Sequence, residues 1–145
     1  MGKRGSIRGY QLWLNGEGVR CRLGDIRHFL QGAVDATGLH LIDTPGKANP
    51  TVNEAHGMGM ALIAESHIFV QVRGAQAVVV CFSCRPFRWA AILRVARDTF
   101  GGQWKSTYAC ERSVPLRGST SGWCEDQGAR QSWWRRWLRW WCGPP

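Results

Sequence analysis

The sequence predicts an α+β fold, a two-layer α/β sandwich in which an antiparallel sheet carries two helices on one face. Three observations lead there. Two stretches have apolar residues at helical spacing, each closed by glycine. Between them, residues 60–84 form two β-branched apolar runs around the polar break Arg73-Gly74-Ala75-Gln76, the pattern of two strands joined by a tight turn. Further strand candidates flank each helix, and helices separated by paired strands suit a sheet covered on one face. A chain of 145 residues with 44% apolar residues can bury one core of this kind.

Residues 1–8 are basic and glycine-rich and read as a flexible arm. Residues 10–14 (YQLWL) are the first strand candidate, ended by Asn15-Gly16-Glu17-Gly18. Asp25 reads as the N-cap of the first helix. Ile26, Phe29, Leu30, Ala33 and Val34 form its apolar stripe, and Gly38 is its natural stop. Residues 39–42 read as the next strand, before a loop rich in Pro, Gly and Asn over 44–57. The hairpin follows. Pro86 suits the first turn of the second helix, whose stripe is Trp89, Ile92, Leu93, Ala96 and Phe100 and whose stop is Gly101-Gly102. A last strand runs from Gln103 to about Cys110, giving the order β-α-β-β-β-α-β, or β-α-β-β-α-β where the loop-flanked short strand merges with its neighbour.

Composition changes near residue 116, so the folded domain is expected over 9–115 and an Arg/Trp-rich tail, poorly ordered as an isolated segment, over 116–145. On a helix, Trp133, Trp134, Trp137, Leu138, Trp140 and Trp141 would share one face, with Arg135, Arg136 and Arg139 on the other. That division suits a membrane surface or a partner groove, and the net charge of +9 admits a nucleic acid, through this tail alone. The N-terminus shows no secretory apolar stretch, and no run reaches the roughly 18 apolar residues of a spanning helix. The six cysteines are therefore expected as reduced thiols in a cytoplasmic protein. Cys81 and Cys84 form a C-x-x-C on a strand, where positions three apart face opposite sides, so no metal site is expected from them.

Chemistry concentrates at Ser66, between Glu65 and His67, and at Cys84. The run Ala61-Leu62-Ile63-Ala64-Glu65-Ser66-His67 resembles the processing segment of the prokaryotic S-adenosylmethionine decarboxylases. Phe82-Ser83-Cys84 is similar to the Phe-Thr-Cys ending that family's next strand, and Gly9-Tyr10-Gln11-Leu12 is a looser match to its opening Gly-x-His-Leu. The likeness spans roughly residues 9–112, and its most specific part is I-A-E-S-H. It implies a self-processing proenzyme. Ser66 would attack the carbonyl of Glu65, the chain would split into residues 1–65 and 66–145, and a covalent pyruvoyl group derived from Ser66 would remain. That group would decarboxylate S-adenosylmethionine, or another amino acid, for polyamine (spermidine) synthesis, with Cys84 as proton donor. The family also implies a homo-oligomer, a dimer first of all.

The chain departs from the family at the two positions that aid processing. Met58 stands where the family has serine, and Gln71 stands where it has histidine. After Gln71 the sequence is Val72-Arg73-Gly74-Ala75, without the family's acid. An unprocessed homologue that binds or otherwise consumes S-adenosylmethionine, or a non-catalytic binding protein, is the alternative reading. By strand alternation His67 is expected on the face opposite Ser66, as a surface or interface residue. His28 and His40 are expected as ordinary helix and strand positions. Trp13, Trp89 and Trp104 are expected in the core.

Overall fold

The structure is a computed structural model and describes residues 8–112. The basic arm and the Arg/Trp-rich tail thus lie outside the described residues, apart from Arg8. Strands β1 (Arg8–Glu17), β2 (Thr51–Asn53), β3 (Met58–Ile63), β4 (Ser66–Arg73), β5 (Gln76–Ser83) and β6 (Gln103–Arg112) form one sheet. Its order is β2-β3-β4-β5-β1-β6, with every pairing antiparallel. Helices α1 (Asp25–Thr37) and α2 (Trp89–Phe100) and a 3-10 turn (Glu54–His56) complete the fold. This is the antiparallel two-layer sandwich that the sequence predicts.

Period-two alternation explains the layering. In β5, Ala77, Val79, Cys81 and Ser83 are buried, whereas Val78, Val80 and Phe82 are partly or well exposed. In β4 the buried set is Ile68, Val70 and Val72. The buried positions meet Ile26, Phe29, Leu30, Ala33 and Val34 of α1 and Ile92, Ala96 and Phe100 of α2 in one core. Phe29 and Phe100 are fully buried with ring centroids 5.4 Å apart, so each helix contributes its largest fully buried side chain to the same contact. Full burial of such a side chain contributes about 1.5–3 kcal/mol. Helix α1 packs close enough to β3 that a Cβ on Gly59 would come within 2.7 Å of Ile26 Cγ2 and 2.9 Å of Leu30 Cδ1.

Several elements differ from the sequence reading. The central apolar segment is three strands rather than two, because the chain also turns at residues 64–65. Ser66 therefore opens a strand instead of lying inside one. Residues 39–42 make only a single bridge, Leu41 to Ile63. The ladder stops there because the Asn49 side chain occupies the edge of β3, accepting from Leu62 N at 3.0 Å and donating to Leu62 O at 2.8 Å. Strand β1 is longer at both ends than residues 10–14, and the loop over 44–57 holds β2 and the 3-10 turn.

The helix starts also shift. Gly24, at φ 89°, is the cap of α1, and Asp25 is its first residue, its carboxylate accepting from Arg22 N at 2.7 Å. Gly38 stops α1 at φ 69°, as expected. Pro86 lies ahead of α2 instead of in its first turn, because Phe87 is buried edge-on against Tyr108 and holds the entry loop to the sheet. Trp104 is buried and Trp89 packs against the core, but Trp13 is half-buried at a position that alternates to the opposite face.

Candidate active site

The turn between β3 and β4 brings the chemistry-bearing residues together. Ile63 and Ser66 are register partners, so Ala64 and Glu65 form a two-residue hairpin loop. Such loops favour positive φ, normally supplied by glycine or asparagine. Here neither loop residue is of that type, and the positive φ falls on Ser66, at 154°. Among the described residues it is the one non-glycine on that side of φ. Backbone held in a region that L-residues rarely adopt costs on the order of 1–3 kcal/mol, and the neighbouring contacts must supply the restraint.

Those contacts are on both sides of the Glu65–Ser66 peptide bond. The N–H of Cys84 donates to the carbonyl oxygen of Glu65 at 3.1 Å. Because Ser66 pairs with Ser83, Cys84 stands opposite Glu65 one step beyond the end of β5. Glu65 is buried, and both oxygens of its carboxylate are engaged by His40: the backbone N–H donates to Oε2 at 3.3 Å, and Nδ1 lies 2.9 Å from Oε1. Burial pushes the Glu65 carboxyl up, but the hydrogen bonds from His40 and the backbone outweigh it and hold it below the usual carboxylate range. The Ala64 N–H donates to His40 O at 2.8 Å, which ties the same turn at a second point.

On the other side, Ser66 Oγ lies 3.0 Å from His67 Nδ1, both residues half-buried. The His67 ring stacks on Phe82, its register partner on β5, with centroids 6.3 Å apart and planes 25° apart. The expectation that His67 faces away from Ser66 is therefore corrected. Strict alternation requires ordinary extended φ, and the positive φ at Ser66 rotates its hydroxyl toward the next residue. His40 is corrected as well: it clamps the turn instead of sitting as an idle strand residue.

Cys84 is exposed with a free thiol, and its backbone N–H is the group that meets the carbonyl of Glu65. Cys81 is fully buried, and burial pushes its thiol up to about 12, so it packs as a small apolar residue. Ser83 is buried, with its hydroxyl accepting from Arg85 N at 3.0 Å. Met58 and Gln71 are register partners on β3 and β4. Gln71 lies five residues along β4 from Ser66, roughly 16 Å at the rise of an extended strand. Within one chain neither reaches the hydroxyl. No group of three or more His, Cys, Asp or Glu side chains suited to a metal ion occurs among the described residues.

Chemically, the turn presents a hydroxyl with an imidazole partner, adjoining a carbonyl already polarised by an N–H donor. A fixed donor on a carbonyl favours charge developing on its oxygen, which is the requirement of acyl transfer. Two of the participants, Ser66 and Cys84, were legible in the sequence, and Glu65 was legible as the acyl side of the bond. His67 was adjacent in the E-S-H run but misdirected by alternation. His40 carried no local signal, since it joins Glu65 only through the fold.

No protein-family model matches the chain, and no curated protein matches it. Among solved structures, the adenosylmethionine decarboxylase from Aquifex aeolicus VF5 is similar, with 20% identity and a TM-score of 0.57. The match covers 80% of this chain and 98% of that one. At that identity the likeness is one of architecture, and this chain has an adenosylmethionine-decarboxylase-like fold.

Proposed function

We propose that the chain is a proenzyme that cleaves its own backbone between Glu65 and Ser66 and then acts as a pyruvoyl-dependent decarboxylase. S-adenosylmethionine is the first substrate to test, another amino acid the second, and polyamine synthesis the role that follows from the former. One observation carries the reading: the strained residue in the folded domain is a serine, and the carbonyl preceding it accepts a hydrogen bond from the cysteine expected to serve as acid.

The residues present fit this chemistry. The Ser66 hydroxyl adds to the Glu65 carbonyl carbon, and the Cys84 N–H holds the oxygen as it becomes negative. The Glu65–Ser66 C–N bond then breaks with the hydroxyl proton transferred to the Ser66 nitrogen, leaving an ester. Loss of the Ser66 Cα proton expels the Glu65 carboxylate from Cβ, and water replaces the nitrogen, which leaves as ammonia. A pyruvoyl group so made supplies an electron sink for loss of CO₂. Cys84, one step beyond the end of β5 and bonded through its N–H to the same turn, carries the thiol suited to return a proton to the substrate carbon. The His40 clamp on Glu65 holds the turn throughout.

The face of the sheet away from the helices supports a dimer. Met60, Leu62 and Phe82 are among the exposed large apolar residues, and Val78, Val80 and Phe69 are half-buried on the same face by alternation. A continuous apolar face of this kind marks an interaction site. Size-exclusion chromatography with light scattering on the full chain is expected to report two copies, and Leu62→Glu with Phe82→Glu is expected to report one.

A denaturing gel tests the main reading. The purified chain is expected to give fragments 1–65 and 66–145, with Ser66→Ala giving one intact band. An intact wild-type band without carbonyl reactivity refutes it. The second reading, an unprocessed relative with the same fold that binds a small molecule, is favoured by the Met58–Gln71 pair, which carries neither an acid nor a base.

A further inference from the structure

We infer that His67 is the general base of the self-cleavage step, taking the Ser66 hydroxyl proton on Nδ1 and passing it to the Ser66 backbone nitrogen. The inference rests on the self-cleavage reading above and deepens it by assigning the proton.

Ser66 is a poor nucleophile as a neutral hydroxyl and needs a base within hydrogen-bond reach. His67 Nδ1 is 3.0 Å from its Oγ, inside that range without any movement. For Nδ1 to accept, the ring proton must be on Nε2, which points the basic lone pair at the hydroxyl. The donor and the final acceptor of the proton are both atoms of residue 66, so one imidazole beside that residue can serve both ends of the transfer. The Oγ–H bond breaks as the Oγ–C bond to Glu65 forms, and the proton leaves Nδ1 again as the C–N bond breaks. The ring ends neutral, and no co-reactant is consumed.

The ring is also held. It stacks on Phe82, and Phe82 in turn lies against Gly9, where a Cβ would meet Phe82 Cε2 at 2.9 Å. A side chain at position 9 would displace the ring that backs His67. The other groups near the bond are engaged or unsuited. Both Glu65 oxygens are bound by His40, and the His40 ring is spent on that contact. Gln71 has no basic nitrogen and lies roughly 16 Å along the strand. The Cys84 N–H points at the carbonyl, where it stabilises negative charge rather than removing a proton.

The test follows cleavage of freshly synthesised full-length chain by denaturing gel and mass spectrometry. His67→Ala is expected to slow cleavage about 10²–10⁴-fold, the usual contribution of general base catalysis. Added imidazole is expected to restore much of the rate in His67→Ala, because the vacated space beside Ser66 Oγ can take a free base. His67→Gln keeps the side-chain bulk and is expected to be equally slow, with a melting temperature near that of the wild type. Hydroxylamine, which cleaves the ester, is expected to release fragments from the wild type during processing and none above background from either variant. The assignment is overturned if both variants cleave within about threefold of the wild-type rate, or if imidazole leaves His67→Ala unchanged. In those cases the wild type still cleaves, so the proposed function stands without this base. A wild type that never cleaves overturns both.

Discussion

The strain at Ser66 can be measured apart from any catalysis. Ser66→Ala and Ser66→Gly both lack the proposed nucleophile, so both are expected to remain single chains, and both lose the hydroxyl contact to His67. They differ in what φ of 154° costs and in the freedom of the unfolded chain. Alanine keeps a Cβ and hence the strain of about 1–3 kcal/mol for backbone held in such a region. Glycine removes the strain but loses about 0.5–1 kcal/mol to the greater freedom of its unfolded chain. At the middle of each range Ser66→Gly is more stable than Ser66→Ala by about 1 kcal/mol. For a domain near 100 residues, 1 kcal/mol moves the melting temperature by about 4–8 °C, so glycine is expected to melt higher by that amount. Differential scanning calorimetry of the two purified variants reads this directly, with urea midpoints as a second measure. If alanine melts at or above glycine, the turn is relaxed at residue 66 and the claim of stored strain is wrong.

Other consequences are equally accessible. Cys84→Pro removes the N–H on the Glu65 carbonyl and is expected to slow self-cleavage about 10²–10³-fold, whereas Cys84→Ala keeps that N–H, still cleaves, and loses decarboxylation in a CO₂-release assay. Gly59→Ala forces a methyl against Ile26 and Leu30 and is expected to cost about 1–3 kcal/mol in urea unfolding, by overpacking. Glu65 gives a pH signature of definite sign. Its carboxyl is lower in the folded state, so its contribution is complete above the unfolded value and is lost as pH falls through the folded one. The wild type is expected to lose stability toward acid more steeply than Glu65→Gln, and parallel acid melts of the two would contradict the clamp. His40→Ala is expected to erase the same difference.

The two apolar helical stripes and the strand-rich centre were legible because burial imposes a period that the sequence must keep. Ile26, Phe29, Leu30, Ala33 and Val34, and Ile92, Ala96 and Phe100, are buried as their spacing requires, with Trp89 and Leu93 partly buried beside them. The turn at residues 64–65 was not legible, since Ala-Glu has none of the residues that mark a hairpin loop, and the apolar run reads continuously through it. That one missed turn accounts for the misplacement of His67. Alternation counted across residue 66 assumed an extended backbone that the turn does not provide. The strand expected over 39–42 failed for a different reason. The side chain of Asn49, from the following loop, satisfies the edge that those residues would have paired with. His40 and Glu65 are 25 residues apart, and only the folded sheet makes them neighbours.

The order of strands bears on what a cut after Glu65 would do to the molecule. Residues 1–65 supply β1, β2 and β3, and residues 66–145 supply β4, β5 and β6. In the sheet these do not sit as two blocks, because β1 is inserted between β5 and β6. Its register runs with β5 from Tyr10 to Glu17 and with β6 from Arg8 to Glu17. The first piece therefore grips the second at two separate places, through β3 on β4 and through β1 between its two neighbours. Severing one covalent bond leaves the pieces interlocked like the fingers of two hands. They would part only by global unfolding, and 1–65 and 66–145 produced as separate chains would have to assemble together for either to complete its sheet.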